Sequence, residues 1–433
     1  MAFALNAGMT ATIPDSPLPA ACPPWTCPFC PLLCDAYSVA TGLRFTLAGS
    51  DCPRAADGLA HFSGAPARPE CPSVGGQSVD YAVALDAAAA ILAASRQPLF
   101  GGLATDVAGV RALYRLANTC GAILDHARGD ALMHSTRALQ DRGVFYTTLA
   151  EIRNRADLIV CLGTNPGERY PEFFRRCAPS GDAPVRRVVF LGAGAAPLAA
   201  GLEDSASEVL PLPGDLFDTV SLLAARLAGR RTASLDAGLE ALAARMLAAR
   251  YTVLVWESGR LPAHGALIAE MVTRLANTLN QTTRAATFCL GGGDGGYTAN
   301  QVVTWLSGLP LRTGVQARGL VHEPLRYATD RLLADGAVDA LLWVSSFGPD
   351  LVPPLSALPQ VVLGHPELQR EFEAHPDGVF IPVSTPGIGS AGHLFRADGG
   401  VVLPLAALYA DHLPTVAQVA ADLTLRVAQR RVV

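Results

Sequence analysis

The sequence predicts an α/β protein behind a small N-terminal cysteine module, and three observations carry that prediction. From about residue 80 onward, short aliphatic runs bounded by turn residues recur along the chain. Ala/Leu-rich stretches with helical periodicity alternate with them, the pattern that gives a parallel sheet covered by helices. Six of the ten cysteines fall within residues 1–75, a Pro-rich stretch with little helical periodicity.

Taken in order, residues 1–75 have little aliphatic core of their own, so a metal or packing against a partner is expected to hold them together. The candidate strands beyond them are Pro98–Leu103, Leu158–Leu162, Arg187–Leu191, Thr252–Trp256, Ala340–Val344 and Gln360–Leu363. Helices are expected over Tyr81–Ser95, Val107–Asn118, Leu216–Leu227, Leu235–Ala249 and Ala266–Leu279. In the fourth of these, Leu235, Leu239, Leu242 and Met246 recur every three or four residues and make one buried face. Gly229 to Thr232, with Ser234, reads as a solvated linker.

Length and composition narrow the function. At 433 residues the chain needs roughly two to three cores. Half of it is apolar and 16% is charged, which leans towards buried surface and subunit interfaces. A net charge of -5 gives no electrostatic reason to expect nucleic acid. No lysine occurs anywhere, which excludes a Walker-type phosphate lysine and a Schiff-base lysine. The apolar runs stop short of the roughly 18 residues a membrane helix needs, and the first twenty residues do not read as an export signal. The expectation is therefore a cytoplasmic protein with no membrane partner, whose cysteines are thiols or metal ligands.

The C-P-F-C-P-L-L-C run supplies Cys27, Cys30 and Cys34, and Cys52 follows. This spacing lets one loop wrap three corners of a [4Fe-4S] cluster while Cys52 closes the fourth, with Phe29, Leu32 and Leu33 as a dry shell. Zinc is the alternative, because four thiolates satisfy it equally. Two strand ends carry turns suited to anionic ligands, Gly163-Thr164-Asn165-Pro166 and Gly192-Ala193-Gly194. The second lacks a full dinucleotide fingerprint, since Pro197 stands at the third glycine position, and reads as a tight connection. The cluster Gly291 to Gly296 either brings backbone close to something or is a mobile connector.

With these motifs the chain resembles the B-type subunit of formylmethanofuran dehydrogenase, a molybdopterin-oxidoreductase relative, and especially its homologue in the formyltransferase/hydrolase complex of methylotrophic bacteria. The resemblance runs nearly end to end. It rests on the cysteine module, on Gly121 to Asp125 leading to Leu132-Met133-His134-Ser135 and Ala138 to Asp141, and on Asp157 to Pro166. The A-N-Q-V-V-T-W-L-S-G-L-P run within Thr298 to Pro310 is its most specific part; Arg331 to Ser346 and Thr385 to Gly392 follow the pattern too.

For the fold, the resemblance implies the cysteine module (1–75) and two doubly wound parallel-sheet domains, one (76–125 plus 311–433) interrupted by the other (126–310). For the site, it implies that Met133 stands where redox-active relatives place the cysteine or selenocysteine that ligates molybdenum or tungsten, with His134 beside it. A neutral thioether cannot replace an anionic chalcogen on a high-valent metal. Gly291 takes the place of an arginine near that metal, Asn300 completes the vestigial site, and Gly163 and Asn165 are ancestral pterin-site candidates. No catalytic residue and no molybdopterin, molybdenum or tungsten are expected.

The resemblance then implies a non-redox structural subunit of a complex in one-carbon metabolism. That complex moves a formyl group from formyltetrahydromethanopterin to methanofuran and hydrolyses it to formate. A formyltransferase subunit and an amidohydrolase-type subunit would be its partners and would do the chemistry. The competing expectation is an active molybdenum- or tungsten-pterin subunit that interconverts formylmethanofuran and carbon dioxide.

Overall fold

Five parallel strands of almost unbroken apolar sequence form one sheet, in the order Arg284–Leu290, Tyr251–Glu257, Leu158–Leu162, Arg187–Leu191, Ala206–Leu210. The three middle strands are buried on both faces, as sheets covered by helices require. The structure, a computed structural model, describes residues 24–64, 71–179, 184–193, 201–202, 206–232, 235–372 and 378–431. Gly194, Pro197 and Ser234, named above, lie outside the described residues.

A second, nine-stranded sheet is mixed. Its parallel centre runs Ile123–Leu124, Pro98–Ala104, Ala340–Ser345, Gln360–Gly364, Gly378–Pro382. Antiparallel pairs close it on both sides, Thr313–Gln316 with Gly319–His322 at one end and Ser73–Val74 with Gln77–Ser78 at the other. The helices Tyr81–Ala94, Val107–Cys120 and Val416–Arg431 pack together over one face, where Leu85, Leu92, Leu113, Leu116, Val419 and Leu423 are fully buried. The chain leaves this sheet after Leu124, builds the five-stranded sheet, and returns to pair Thr313 with Leu124. The α/β class and all six anticipated strands are present, as are the five anticipated helices, within a few residues at their ends.

Local chemistry sets the helix boundaries. Asp106, Thr148, Asp215 and Asp236 each accept a backbone N–H in the first turn of the helix they precede. Gly121 takes the left-handed conformation that ends Val107–Cys120. The leucine stripe predicted near residue 240 is real, with Leu239, Leu242 and Met246 buried on Ala237–Ala248.

The described part of the cysteine module, from Pro24, packs on the rest of the chain. It forms a hairpin, Ser38–Ala40 with Thr46–Ala48, and a helix, Pro53–Ala60. Its apolar residues Trp25, Leu32, Ala55 and Leu59 are buried in one cluster with Phe173, Val253 and Phe288 of the five-stranded domain. The Trp25 indole N–H donates to the Gly387 carbonyl at 2.7 Å, tying the module to the nine-stranded domain as well. The missing core is thus supplied by the chain itself.

Candidate functional site

The carboxyl ends of strands from both sheets face a common cleft of about 690 Å³. From the five-stranded sheet come Glu257 and Ser258, then Gly291 to Asp294, and Arg169 and Tyr170 beyond Leu158–Leu162. The nine-stranded sheet contributes Asp125 to Arg128 and Arg312; the helix Gly129–Arg142 adds Asp130 and His134; the cysteine module adds Pro31 and Arg54. In the five-stranded sheet the strand order reverses between Leu158–Leu162 and Tyr251–Glu257, the switch point where α/β folds collect ligands.

The arginines of this cleft are engaged within the chain. Arg312 bonds Asp125 at 3.2 Å, Asp130 at 2.7 Å and the Pro324 carbonyl at 2.6 Å. Asp125 also accepts the backbone N–H and hydroxyl of Thr329, both at 2.9 Å. Burial pushes the Asp125 carboxyl upward, opposed by the Arg312 guanidinium and by those Thr329 bonds. Arg169 reaches Glu257 at 2.5 Å, and Arg128 reaches Asp294 at 2.8 Å. Arg54 spends two donors on the carbonyls of Arg169 and Phe29.

Two histidines face the cleft, both below their ordinary range. His126 is fully buried, which lowers it to about 4. Its Nδ1 accepts the Arg128 N–H at 3.0 Å, so the neutral ring carries its proton on Nε2 and donates to the Asp294 carbonyl at 3.1 Å. Burial also lowers His134, with Asp130 pulling the other way.

The glycine cluster is a close-approach device. Gly292 and Gly295 have positive φ, and a Cβ on Gly295 would lie 2.5 Å from the Thr105 carbonyl oxygen. Gly291 lines the cleft at φ 148°, and a Cβ there would meet Ser258 Oγ at 2.3 Å. An arginine at this place would need Ser258 to move.

The expected vestigial residues are not all on the wall. His134 and Gly291 are. Met133 is 2% exposed and packs with Leu132, Val302 and Val303 in the core of the nine-stranded domain. One helical residue turns the side chain by about 100°, so Met133 points inward where His134 points to the cleft. Asn300 spends its carboxamide oxygen on the Leu311 N–H at 3.0 Å and does not line the cleft. Gly163 and Asn165 do not line the cleft: Gly163 has φ 62°, and Asn165 accepts the Gly167 N–H at 3.2 Å. The residues that dominate the cleft, Arg312, Asp125, His126, Arg169 and Glu257, were not singled out from the sequence. For Asp125, His126 and Glu257 the signal is present, since polar residues at the carboxyl end of a strand are the ones a doubly wound sheet presents to a ligand.

Cys27, Cys30, Cys34 and Cys52 are all buried in one cluster. The Cys27 N–H donates to the Cys34 carbonyl and the Leu33 N–H to the Cys30 carbonyl, with Leu33 itself at φ 44°, which folds the loop back on itself. Burial and the neighbouring Cys34 sulfur push the Cys30 thiol up to about 12, while burial raises Cys27 and Cys34. No three His, Cys, Asp or Glu side chains among the described residues stand close enough to share one metal ion.

Comparison with known proteins places this architecture. No family model matches the chain. The B-type subunit of the formyltransferase/hydrolase complex Fhc of Methylorubrum extorquens is 31% identical over 360 residues, 82% of this chain and 97% of the relative. The chain belongs to this family of B-type subunits. A chain in the crystal structure of the same organism's formyltransferase/hydrolase complex (FhcABCD) with methylofuran superposes with a TM-score of 0.74 at 30% identity, covering 84% of this chain and all of that one. The B-type subunit of tungsten-containing formylmethanofuran dehydrogenase 2 of Methanocaldococcus jannaschii is 25% identical over 398 residues, 86% of this chain and 90% of the relative. Identity is thus higher to the transferase/hydrolase protein than to the tungsten protein. Among the described residues, no helix is long and apolar enough to cross a membrane.

Proposed function

We propose that this chain is the non-redox, B-type member of a cytoplasmic formyltransferase/hydrolase complex. It would serve as scaffold for a formyltransferase subunit and an amidohydrolase-type subunit that convert formyltetrahydromethanopterin to formate through methanofuran. The observation that carries this reading is the 31% identity across 97% of the M. extorquens relative. The cleft supports it: its lining residues include no cysteine, Gly291, which the resemblance sets at the place of an arginine, brings no charge to it, and its arginines are engaged by the chain's own carboxylates and carbonyls. Those residues do not fit a molybdenum or tungsten pterin, which calls for an anionic chalcogen ligand and free cations for its phosphates.

For the cysteine module we propose a [4Fe-4S] cluster on Cys27, Cys30, Cys34 and Cys52; zinc, the alternative, would need the sulfurs to draw closer to one point than they stand. Four buried sulfurs around one folded loop suit it, and a cube takes one thiolate at each iron, so three donors need not converge on one point. Bound there, a cluster would add stability to the module. Nine described cysteines, all free, suit a reducing compartment.

Affinity purification through this chain from its native host tests the proposal. It predicts co-purification of formyltransferase and amidohydrolase-type subunits, with formate released from formyltetrahydromethanopterin. Carbon dioxide formation with dye reduction in place of formate release would contradict it.

A further inference from the structure

The described residues have three exposed large aromatic side chains, Phe145 (44%), Tyr146 (48%) and Trp305 (59%). A chain of contacts connects them. Tyr146 follows Phe145 in a segment that pairs with Thr287; two residues on, Thr148 borders Gly400, and the adjacent Gly399 lies against the Tyr297 hydroxyl. The Tyr297 hydroxyl accepts a hydrogen bond from the Gln301 carboxamide at 2.6 Å, and Gln301 and Trp305 continue along the helix Gly296–Ser307 at four-residue spacing. The Arg111 guanidinium lies over the Trp305 ring, 5.8 Å from its centre, and has no ion pair among the described residues. From Tyr297 to Trp305 the helix alone extends about 12 Å.

Aromatics make up only 6% of this chain, and elsewhere their side chains are buried or half-buried among the described residues. Concentrating the exceptions beside an arginine without a carboxylate reproduces the composition of energetic centres in protein interfaces, where Trp, Tyr and Arg dominate. The stripe is also amphipathic: two phenols, a carboxamide and a guanidinium punctuate the rings, which suits a heteromeric interface better than the more uniformly apolar contact of a homodimer.

We propose that the stripe from Phe145 and Tyr146 across Tyr297, Gln301 and Trp305 to Arg111 is the surface on which a different subunit of the assembly docks. The partner offers an apolar surface and a carboxylate for Arg111. This rests on the reading of the chain as an assembly subunit, and FhcABCD, in which the matching chain occurs, supplies unlike neighbours for it. None of its six residues lines the cleft.

The test co-expresses the chain with the other subunits of its complex and quantifies each of them recovered through a tag on this chain. The double variant Trp305→Glu with Tyr146→Glu is compared with Leu425→Glu, an exposed leucine on the C-terminal helix. With the double variant, recovery of at least one partner is expected to fall tenfold or more, while Leu425→Glu retains all of them. Hydrogen exchange of the unmodified chain, alone and assembled, reads the same surface without mutation, and residues 145–147 and 297–306 are expected to slow on assembly. Wild-type recovery with the double variant, together with unchanged exchange in those segments, overturns the inference. So does light scattering that shows the lone chain as a dimer which the double variant makes monomeric, because the occupant is then a second copy. Recovery of no partner by the unmodified chain sinks the assembly reading itself, and this inference with it.

Discussion

Arg312 and Asp125 form an ion pair in which both side chains are withdrawn from water, 3% and 1% exposed, and the pair joins the strand from which the chain leaves the nine-stranded sheet to the strand by which it returns. Arg312 is in the left-handed region at φ 62°, unusual for a residue with a side chain. Its guanidinium also ties down Asp130 at the start of the helix that carries His134. Removing Arg312 leaves the buried Asp125 without a counter-charge, and removing Asp125 leaves the buried Arg312 only the exposed Asp130, so each loss costs up to about 3–5 kcal/mol. Asp125→Asn and Arg312→Gln should therefore each lower the melting temperature strongly, and the double variant should lose much less than the sum. Additive losses in calorimetry would show that the two are not coupled.

His126 and His365 set a second expectation. Burial holds both near 4 in the folded protein, against about 6.5 when unfolded. Above pH 6.5 neither state binds the proton and stability is flat. Between 6.5 and about 4 the unfolded chain binds more protons, so stability falls as pH falls, by on the order of 3 kcal/mol at most for each histidine. His126→Gln should flatten part of that slope in urea titrations; a slope unchanged by the substitution would exclude His126 as a cause.

Arg186 is buried and bonds only carbonyls: Ala156 at 3.1 Å, Ile152 at 2.6 Å, Arg153 at 3.1 Å and Cys177. It thus closes the C-terminal ends of two short helices, Leu149–Arg155 and Phe173–Cys177, under the five-stranded sheet. Arg186→Lys keeps the charge but not the planar fork, and should cost about 2 kcal/mol or more. A variant as stable as the wild type in denaturant melts would refute this role.

Cys30 tests the proposed cluster. Cys30→Ser should lose most of the iron and sulfide from anaerobically purified protein, together with the visible absorbance. Because the module also packs on Phe173 and Phe288, the remainder of the chain should stay folded. Stoichiometric zinc in the unmodified protein would replace the cluster reading with its alternative.

The strands and helices legible in advance were those whose own residues announce them: aliphatic runs such as Leu158–Leu162 and the stripe Leu239, Leu242, Met246. Gly378–Pro382 and Arg284–Leu290 escaped because each has glycine, proline or charge at an end that a parallel neighbour tolerates. Helix Gly129–Arg142 escaped because its apolar face is narrow and its other side is the polar cleft wall. The resemblance puts Met133 and Asn300 at the site, whereas packing turns Met133 to the core and a backbone N–H takes Asn300. Arg312 and Asp125 lie 187 residues apart in sequence, so only the strand pairing reveals that they meet.

The most direct measurement is elemental and pterin analysis of the intact complex purified through this chain. The account predicts no stoichiometric molybdenum, tungsten or pterin dinucleotide in a preparation that releases formate from formyltetrahydromethanopterin. Either metal recovered at one per chain together with a pterin dithiolene would contradict it.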